Sequence, residues 1–444
     1  MASAAEQLAA NLSFSAFRTA DELKKRIWFT LGALLVYRLG TYIPLPGIDP
    51  QALRVVFDQQ QSGILGMFNM FAGGAVGRMA IFALNIMPYI TASIIIQLMT
   101  SVVPRLEQLK KEGETGRKII NQYTRYGTVL LAAVQGYGIA IGLESAEGVV
   151  IDPGAFFRTS AVITLVGGTI FLMWLGEQVT ARGVGNGISL IIFAGIVAEL
   201  PSALAGTLEL GRQGVLSTFV LLALIIMVIG VIAFIVFMER AQRRLLVQYP
   251  KRQMGNKMMG GDNSHLPLKL NTAGVIPPIF ASSLLLMPIT LANFSSGDTT
   301  GLLGTVSALL GRGQPAYMLL YASGIIFFCF FYTSIVFNPQ DTADNLKRSG
   351  GFIPGIRPGE RTGEYIDYVL TRLTVVGALY LTLVCLLPEF LINAYNVPFY
   401  FGGTSLLIVV SVTMDTVSQV QGHLFAHQYE GLIKRSKLGG GKTR

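Results

Sequence analysis

The sequence predicts an all-α polytopic membrane protein with ten transmembrane helices, and three observations carry that prediction. Only 13% of the 444 residues are charged, against 52% hydrophobic. Soluble domains carry roughly 25% charged residues, so the bilayer must be the main solvent, in line with a mean hydropathy of +0.55. Long uncharged windows recur along the chain, and 28 of the 34 Lys and Arg fall between alternate windows. Disorder, a collagen-like repeat and a disulfide-stapled secreted fold are excluded. The two cysteines, Cys329 and Cys385, lie inside apolar runs and form no CxxC motif, so they read as buried inert thiols.

The windows, in order, are 27–46, 79–104, 126–143, 159–176, 183–198, 213–238, 270–297, 313–340, 373–388 and 390–414. The first contains a single charge, Arg38, and the others none. A spanning helix needs about 20 apolar residues, and flanking side chains can snorkel to lengthen the shorter windows. The sequence reads as ten helices on this basis. Fifty glycines suit membrane helices that pack by close approach.

An even number of spans places both termini on one side. With the N-terminus cytoplasmic, the arm, the tail, Arg182 and the loops 104–125, 239–273 and 338–372 share 28 basic residues. The opposite side has Arg54, Arg78, Arg158, Arg212 and Arg312. The positive-inside rule fixes this orientation. No cleavable signal peptide is expected: Asp21 and Glu22 precede the basic cluster, and the first apolar segment is long enough to stay.

Three segments are not ordinary spans. Residues 63–77, GILGMFNMFAGGAVG, are too few to cross a hydrocarbon core about 30 Å thick and too apolar for a water-exposed loop. Two readings fit: a short re-entrant helix that occupies a cavity and can leave it, or a broken first half of the next span. The 239–273 loop has seven basic residues against two acidic ones, with a YP break and a GG turn. It reads as a hairpin-like projection able to meet RNA phosphate, acidic protein faces or anionic lipid, unless it merely sets topology. In the 338–372 loop, Pro354, Gly355, Pro358 and Gly359 bracket Arg357, and the proline-restricted backbone holds its guanidinium at a stiff tip.

Across the ten expected spans Asp415, just past the last window, is the only carboxylate and Arg38 the only base. Asp415 reads as a relay or, preferably, as a partly hydrated group near a membrane face. His423 and His427 lie one turn apart without a third ligand and read as polar caps where a helix leaves the membrane. The tail GGGKT lacks the leading glycine and the following helix of a phosphate-binding loop. There is no paired acid and base and no nucleophile motif, so no enzyme and no cofactor is expected.

The runs MFNMFAGGAVGRMAIFALNIMPYITASIIIQL, KKEGETGRKIINQYTRYGT, FLMWLGEQVTARGVGNGISLIIFAGIV, LPLKLNTAGVIPPIFASS, GIRPGERTGEYID and VPFYFGGTSLLIVV resemble the bacterial SecY/Sec61α family of protein-translocase channels, over about residues 26–429. The resemblance implies two pseudo-symmetric halves around a central pore, spans 1–5 (27–205) and 6–10 (206–422). A cytosolic arm (1–26) and a basic tail (423–444) flank them. It implies an aliphatic pore ring at Ile86, Ile90, Ile188, Ile192, Ile279 and Ile408. The plug then falls on 63–77, with Gly63, Met67, Phe68, Asn69, Phe71, Gly73, Gly74 and Gly77. Lateral-gate positions map to Thr91 and Gln135, and docking positions to Arg243, Arg244, Lys251, Arg252 and Arg357. The implied partners are the small subunits SecE and SecG, the SecA motor ATPase, the ribosome, preprotein signal sequences and membrane lipids. The implied place is the bacterial plasma membrane.

Read from the residues alone, Ile86/Ile90 and Ile188/Ile192 are i, i+4 pairs on one helix face each. Such stripes more often face lipid or core; an aliphatic constriction that dewets when empty is the reading that the resemblance favours. The rival class is an ion-coupled transporter, which would carry midplane carboxylates and a substrate pocket. A membrane-embedded enzyme is a third class and lacks a catalytic set here.

Overall fold

The computed structural model describes residues 21–60, 69, 72–144, 148–214, 217–249, 252–254, 257–259, 263–294, 314–395 and 403–439. In chain order the helices are α1 (Asp21–Gly40), α2 (Pro50–Gln60), α3 (Met87–Val102), α4 (Pro104–Lys111), α5 (Glu114–Glu144), α6 (Ala155–Arg182) and α7 (Gly187–Arg212). They continue with α8 (Thr218–Arg240), α9 (Ile276–Phe294), α10 (Pro315–Val336), α11 (Pro339–Arg348), α12 (Glu360–Tyr395) and α13 (Gly403–Gly439). Between α8 and α9 lie four strands, β1 (Gln242–Gln248), β2 (Arg252–Met254), β3 (Lys257–Met259) and β4 (Asn263–Lys269).

A helix occupies each of the ten windows. Among the described residues seven helices are long and apolar enough to cross a membrane, and α3 with α4 makes an eighth if that bent pair is one span. The bend of 98° falls at the break between them. Its cause is local: Val103 precedes Pro104, is barred from helical geometry, and adopts φ −95°, ψ 114°.

Several expectations change. Within the second window, 79–104, α3 starts only at Met87. Residues 72–86 turn tightly instead, with positive φ at Gly73, Gly74, Met79 and Asn85, a geometry no apolar count detects. The 338–372 segment is not one loop: α11 fills its start, α12 begins at Glu360, and 349–359 alone connects them. Helices also overrun the charges that bounded the windows. α7 passes through residue 205 and Pro201 to Arg212, so Glu199 lies inside a helix and Asp415 is not the only helical carboxylate of the spans. α13 runs on past His423 and His427 to Gly439.

The chain forms two compact units. Unit 1 comprises Met1–Ile96, Arg117–Ser202 and Ile408–Arg444. Its core gathers Leu45, Met79, Leu84, Leu143, Phe157 and Leu165. A ring stack of Tyr37, Phe82 and Phe171, at centroid separations of 6.3 and 5.8 Å, ties α1, the 72–86 turns and α6 together. Gly168 of α6 lies flush against the Ile81 carbonyl, where any Cβ would overlap the oxygen. Turns that carry their own polar backbone to membrane depth are thus enclosed by protein, as they must be.

Unit 2 comprises Gln97–Gly116 and Ala203–Leu407. Phe280 of α9 meets Phe328 of α10 edge to face at 5.7 Å, and the buried Tyr321 hydroxyl lies 2.7 Å from Thr404 Oγ1. The 239–273 projection is a hairpin, as its YP and GG breaks suggested: β1 and β4 pair antiparallel from Gln242↔Lys269 to Gln248↔Asn263. An isolated two-stranded hairpin is marginal in water. Here Leu245 and Leu268 bury themselves against Ile353, Ile366 and Val369, and Gln248 exchanges backbone hydrogen bonds with Phe352 at 2.9 and 3.0 Å. The hairpin and the 349–359 loop therefore share one small core.

Candidate functional site

The six isoleucines occupy four helical segments. Ile86 ends the 72–86 turns, and its carbonyl accepts from the Ile90 amide at 3.1 Å, so the pair shares a face of the first turn of α3. Ile188 and Ile192 lie one turn apart at the start of α7, Ile408 in α13 and Ile279 in α9. Ile86, Ile90, Ile192 and Ile408 are exposed by 1, 8, 6 and 1%; Ile188 and Ile279 are half-buried. Ile188 packs close to Gly176 of α6, 3.2 Å from where a Cβ there would stand. Five of the six belong to unit 1 and Ile279 to unit 2.

What fixes the start of α7 is a set of side-chain caps. Asn186 Oδ1 accepts from the Ile188 amide at 3.1 Å, and Thr180 Oγ1 accepts from the Gly187 amide at 2.8 Å. Gln419 Oε1 of α13 accepts from the Gly185 amide at 2.8 Å. Orphan donors at a helix N-terminus need such acceptors. Gly185 itself has φ +90°, which suits glycine.

Of the gate positions, Thr91 is half-buried on α3 and donates to the Met87 carbonyl at 3.1 Å. Its hydroxyl is satisfied within its own helix. Gln135 is half-buried on α5. The two helices approach where Gly127 of α5 faces Ala92 of α3, 3.5 Å from a Cβ built on the glycine.

Of the plug positions, Gly63, Met67, Phe68 and Phe71 lie outside the described residues. Asn69 is helical and residues 72–77 are turns. Asn69 accepts from the Gly77 amide through Oδ1 at 2.7 Å, and its carbonyl accepts from Gly74 at 2.8 Å. Ala72, Ala75 and Val76 pack under Phe57 of α2.

Sequence reasoning missed the polar group around this segment. Arg38 Nη1 and Arg78 Nη2 both donate to the Gly73 carbonyl, at 2.7 and 2.9 Å. The signal was present: Arg38 is the one charge of the first window and Arg78 ends the glycine run. Their 40-residue separation hid the convergence.

The docking positions divide. Arg243 and Arg244 are both exposed, but strand alternation sets them on opposite faces of the hairpin. Arg243 shares the face of Leu245 and Val247, opposite Leu268. Arg244 points with Leu246 to the other side. Lys251 lies outside the described residues; Arg252 opens β2, paired with Met259. Arg357 is exposed, and its carbonyl accepts from Thr362 Oγ1 at 3.0 Å, which pins the loop to the first turn of α12. Asp415 and His423 are exposed on α13.

Long apolar helices with buried aliphatic side chains and a basic hairpin define a multi-span membrane protein. Solved structures share this fold. "The structure of a protein conducting channel" superposes with a TM-score of 0.65 at 19% identity, over 90% of this chain and 92% of that one. Sec61 in the canine ribosome–channel complex from the endoplasmic reticulum gives 0.62 at 18% identity, over the same shares. At the sequence level the SecY family model matches residues 80–417. The protein translocase subunit SecY of Escherichia coli K12 is 59% identical over 423 residues, 94% of this chain and 96% of that protein. SecY of Vibrio cholerae is 57% identical over 433 residues, 96% and 98%. The chain belongs to the SecY family.

Proposed function

We propose that this chain is the channel-forming subunit of a bacterial protein translocase, passing unfolded preproteins across the plasma membrane and releasing membrane segments sideways into lipid. The two halves, 27–205 and 206–422, enclose a pore whose waist is the six-isoleucine collar. A collar of bare aliphatic side chains expels water when empty and offers no hydrogen bonds to hold a passing chain. Residues 63–77 plug it, and Thr91 and Gln135 lie at the lateral gate. Both termini face the cytoplasm, as do the hairpin and the 349–359 loop.

The chain performs no chemistry of its own, and the push comes from outside. Arg243, Arg244, Lys251, Arg252 and Arg357 dock the ribosome or the SecA motor; SecE and SecG complete the membrane complex, signal sequences open it and lipid surrounds it. The near-complete burial of Ile86, Ile90, Ile192 and Ile408 in a SecY-family chain carries the reading.

Site-specific crosslinking tests it. A photoreactive side chain at position 86 or 192 should capture a translocation-arrested precursor, and capture only at lipid-facing Phe219 would overturn the conduit. Replacing four collar isoleucines by serine should also make the resting channel leak ions in planar bilayers. Unchanged conductance would reject the collar.

A further inference from the structure

The group around Gly73 has the form of a fastening. Arg38, in the last turn of α1, donates Nη1 to the Gly73 carbonyl at 2.7 Å and Nη2 to the Tyr42 hydroxyl at 2.8 Å. Arg78 donates Nη2 to the same carbonyl at 2.9 Å and Nε to the Thr41 carbonyl at 3.2 Å. Both guanidiniums lie over the Tyr42 ring, 4.8 and 4.3 Å from its centroid, so one aromatic ring attracts two like charges.

Glu199 of α7 completes the set. Its Oε1 and the Arg78 guanidinium flank Gly74 so closely that a Cβ there would overlap the carboxylate. Gly73 in turn lies against Gly195 of α7. Positive φ at Gly73 and Gly74, 62° and 79°, turns the Gly73 carbonyl out toward the arginines. The root of the 63–77 segment is thus held at the Gly73 carbonyl by side chains from α1 and from its own continuation, with α7 packed against it. Charge-assisted hydrogen bonds of this kind are strong when shielded, yet they break without unfolding any helix.

We propose that Arg38, Arg78 and Glu199 form a polar latch that holds the plug root shut against α1 and α7, and that channel opening requires this latch to release. The inference rests on reading 63–77 as the plug. Arg38 and Arg78 are positioning residues: they set the closed state and do not touch the translocating chain.

Resting conductance of the full chain with its membrane partners in planar bilayers is the readout. Arg78→Gln and Arg38→Gln should each raise the resting open probability about tenfold, the equilibrium change for roughly one charge-assisted hydrogen bond. Arg78→Lys should recover only part of the seal, because an ammonium cannot serve both carbonyls as a fork does. Gly74→Ala keeps both arginines, displaces Glu199, and should leak as well. Deletion of residues 63–71 separates the two claims. If the deletion leaks and the arginine variants, present in normal amounts, do not, the latch is overturned and the plug stands. If neither leaks, the plug reading falls and the latch with it. The latch is supported if the arginine effects disappear in the deletion background, because there is then nothing left to hold.

Discussion

Truncating Leu245 should detach the basic hairpin from its platform while leaving its charges in place. Leu245 is buried against Ile353, Ile366 and Val369, whereas its neighbour Leu246 points to the opposite, exposed face. Leu→Ala in a packed core costs about 2–5 kcal/mol, and a two-stranded hairpin has little independent stability to absorb it. At about 1.4 kcal/mol per decade, the local opening equilibrium should rise roughly 30-fold or more. Hydrogen exchange on the complex in nanodiscs reads this at the β1 and β4 amides, with α10 amides as an internal control. Leu246→Ala should change the same amides by less than about 0.5 kcal/mol, the usual range for a surface site. Equal exchange in the two variants would refute the shared core, as would a Leu245→Ala hairpin protected like the parent.

Three further outcomes follow from other parts of the molecule. Gly168→Ala drives a methyl into the Ile81 carbonyl and should cost about 1–3 kcal/mol by overpacking, read as a lower midpoint in thermal unfolding; Gly167→Ala, which meets open space, should not. Arg158 Nε donates to Glu144 Oε2 at 2.7 Å, and the Gly154 amide donates to Oε1 at 3.0 Å. The hydrogen-bonded guanidinium, ahead of the amide, holds the Glu144 carboxyl below the usual carboxylate range. Its stabilisation is therefore fully present above the ordinary carboxylate pKa and is lost as pH falls through the lowered folded value. Exchange at the Gly154 amide should accelerate only in that acidic window, and a Glu144→Gln protein should show no such step. Arg357→Glu should abolish motor-driven export while the channel still assembles, and normal export of a SecA-dependent precursor would remove the docking role.

Among the described residues the windows located the long apolar helices and not the short polar ones at 50–60 and 339–348: a charge inside a span is costly, so its absence is legible residue by residue. Ends were less legible. Glu177 and Glu199 stand inside helices that run on to Arg182 and Arg212, because a side chain can snorkel or find a partner, so the first charge is not where the helix stops. Backbone-driven features were hidden altogether. Nothing in the composition of 72–86 distinguishes turns from helix; the difference lies in positive φ at Met79 and Asn85 as much as at the glycines. Charge marked the hairpin's arginines, but the division of Arg243 and Arg244 between its two faces depended on register, which pairing with β4 and packing on Ile353 decide. The resemblance chose the isoleucines; helical spacing alone could not separate a collar from a lipid face.

The same limit explains the arginine pair, and it bears on how a passive channel stays closed. A guanidinium at the edge of an apolar body needs acceptors, and helix carbonyls are already engaged by their own amides. The 72–77 turns supply what a helix cannot: a glycine carbonyl turned outward at Gly73, with Gly74 leaving room for Glu199. The arginines make the glycines useful, and the glycines make the arginines tolerable. Aliphatic packing alone, as in the proposed collar at Ile86 and Ile192, grips nothing in particular, because dispersion contacts are individually tiny. On the proposed reading, a few directional bonds at the plug root supply what the collar lacks, a closed position distinct from its neighbours.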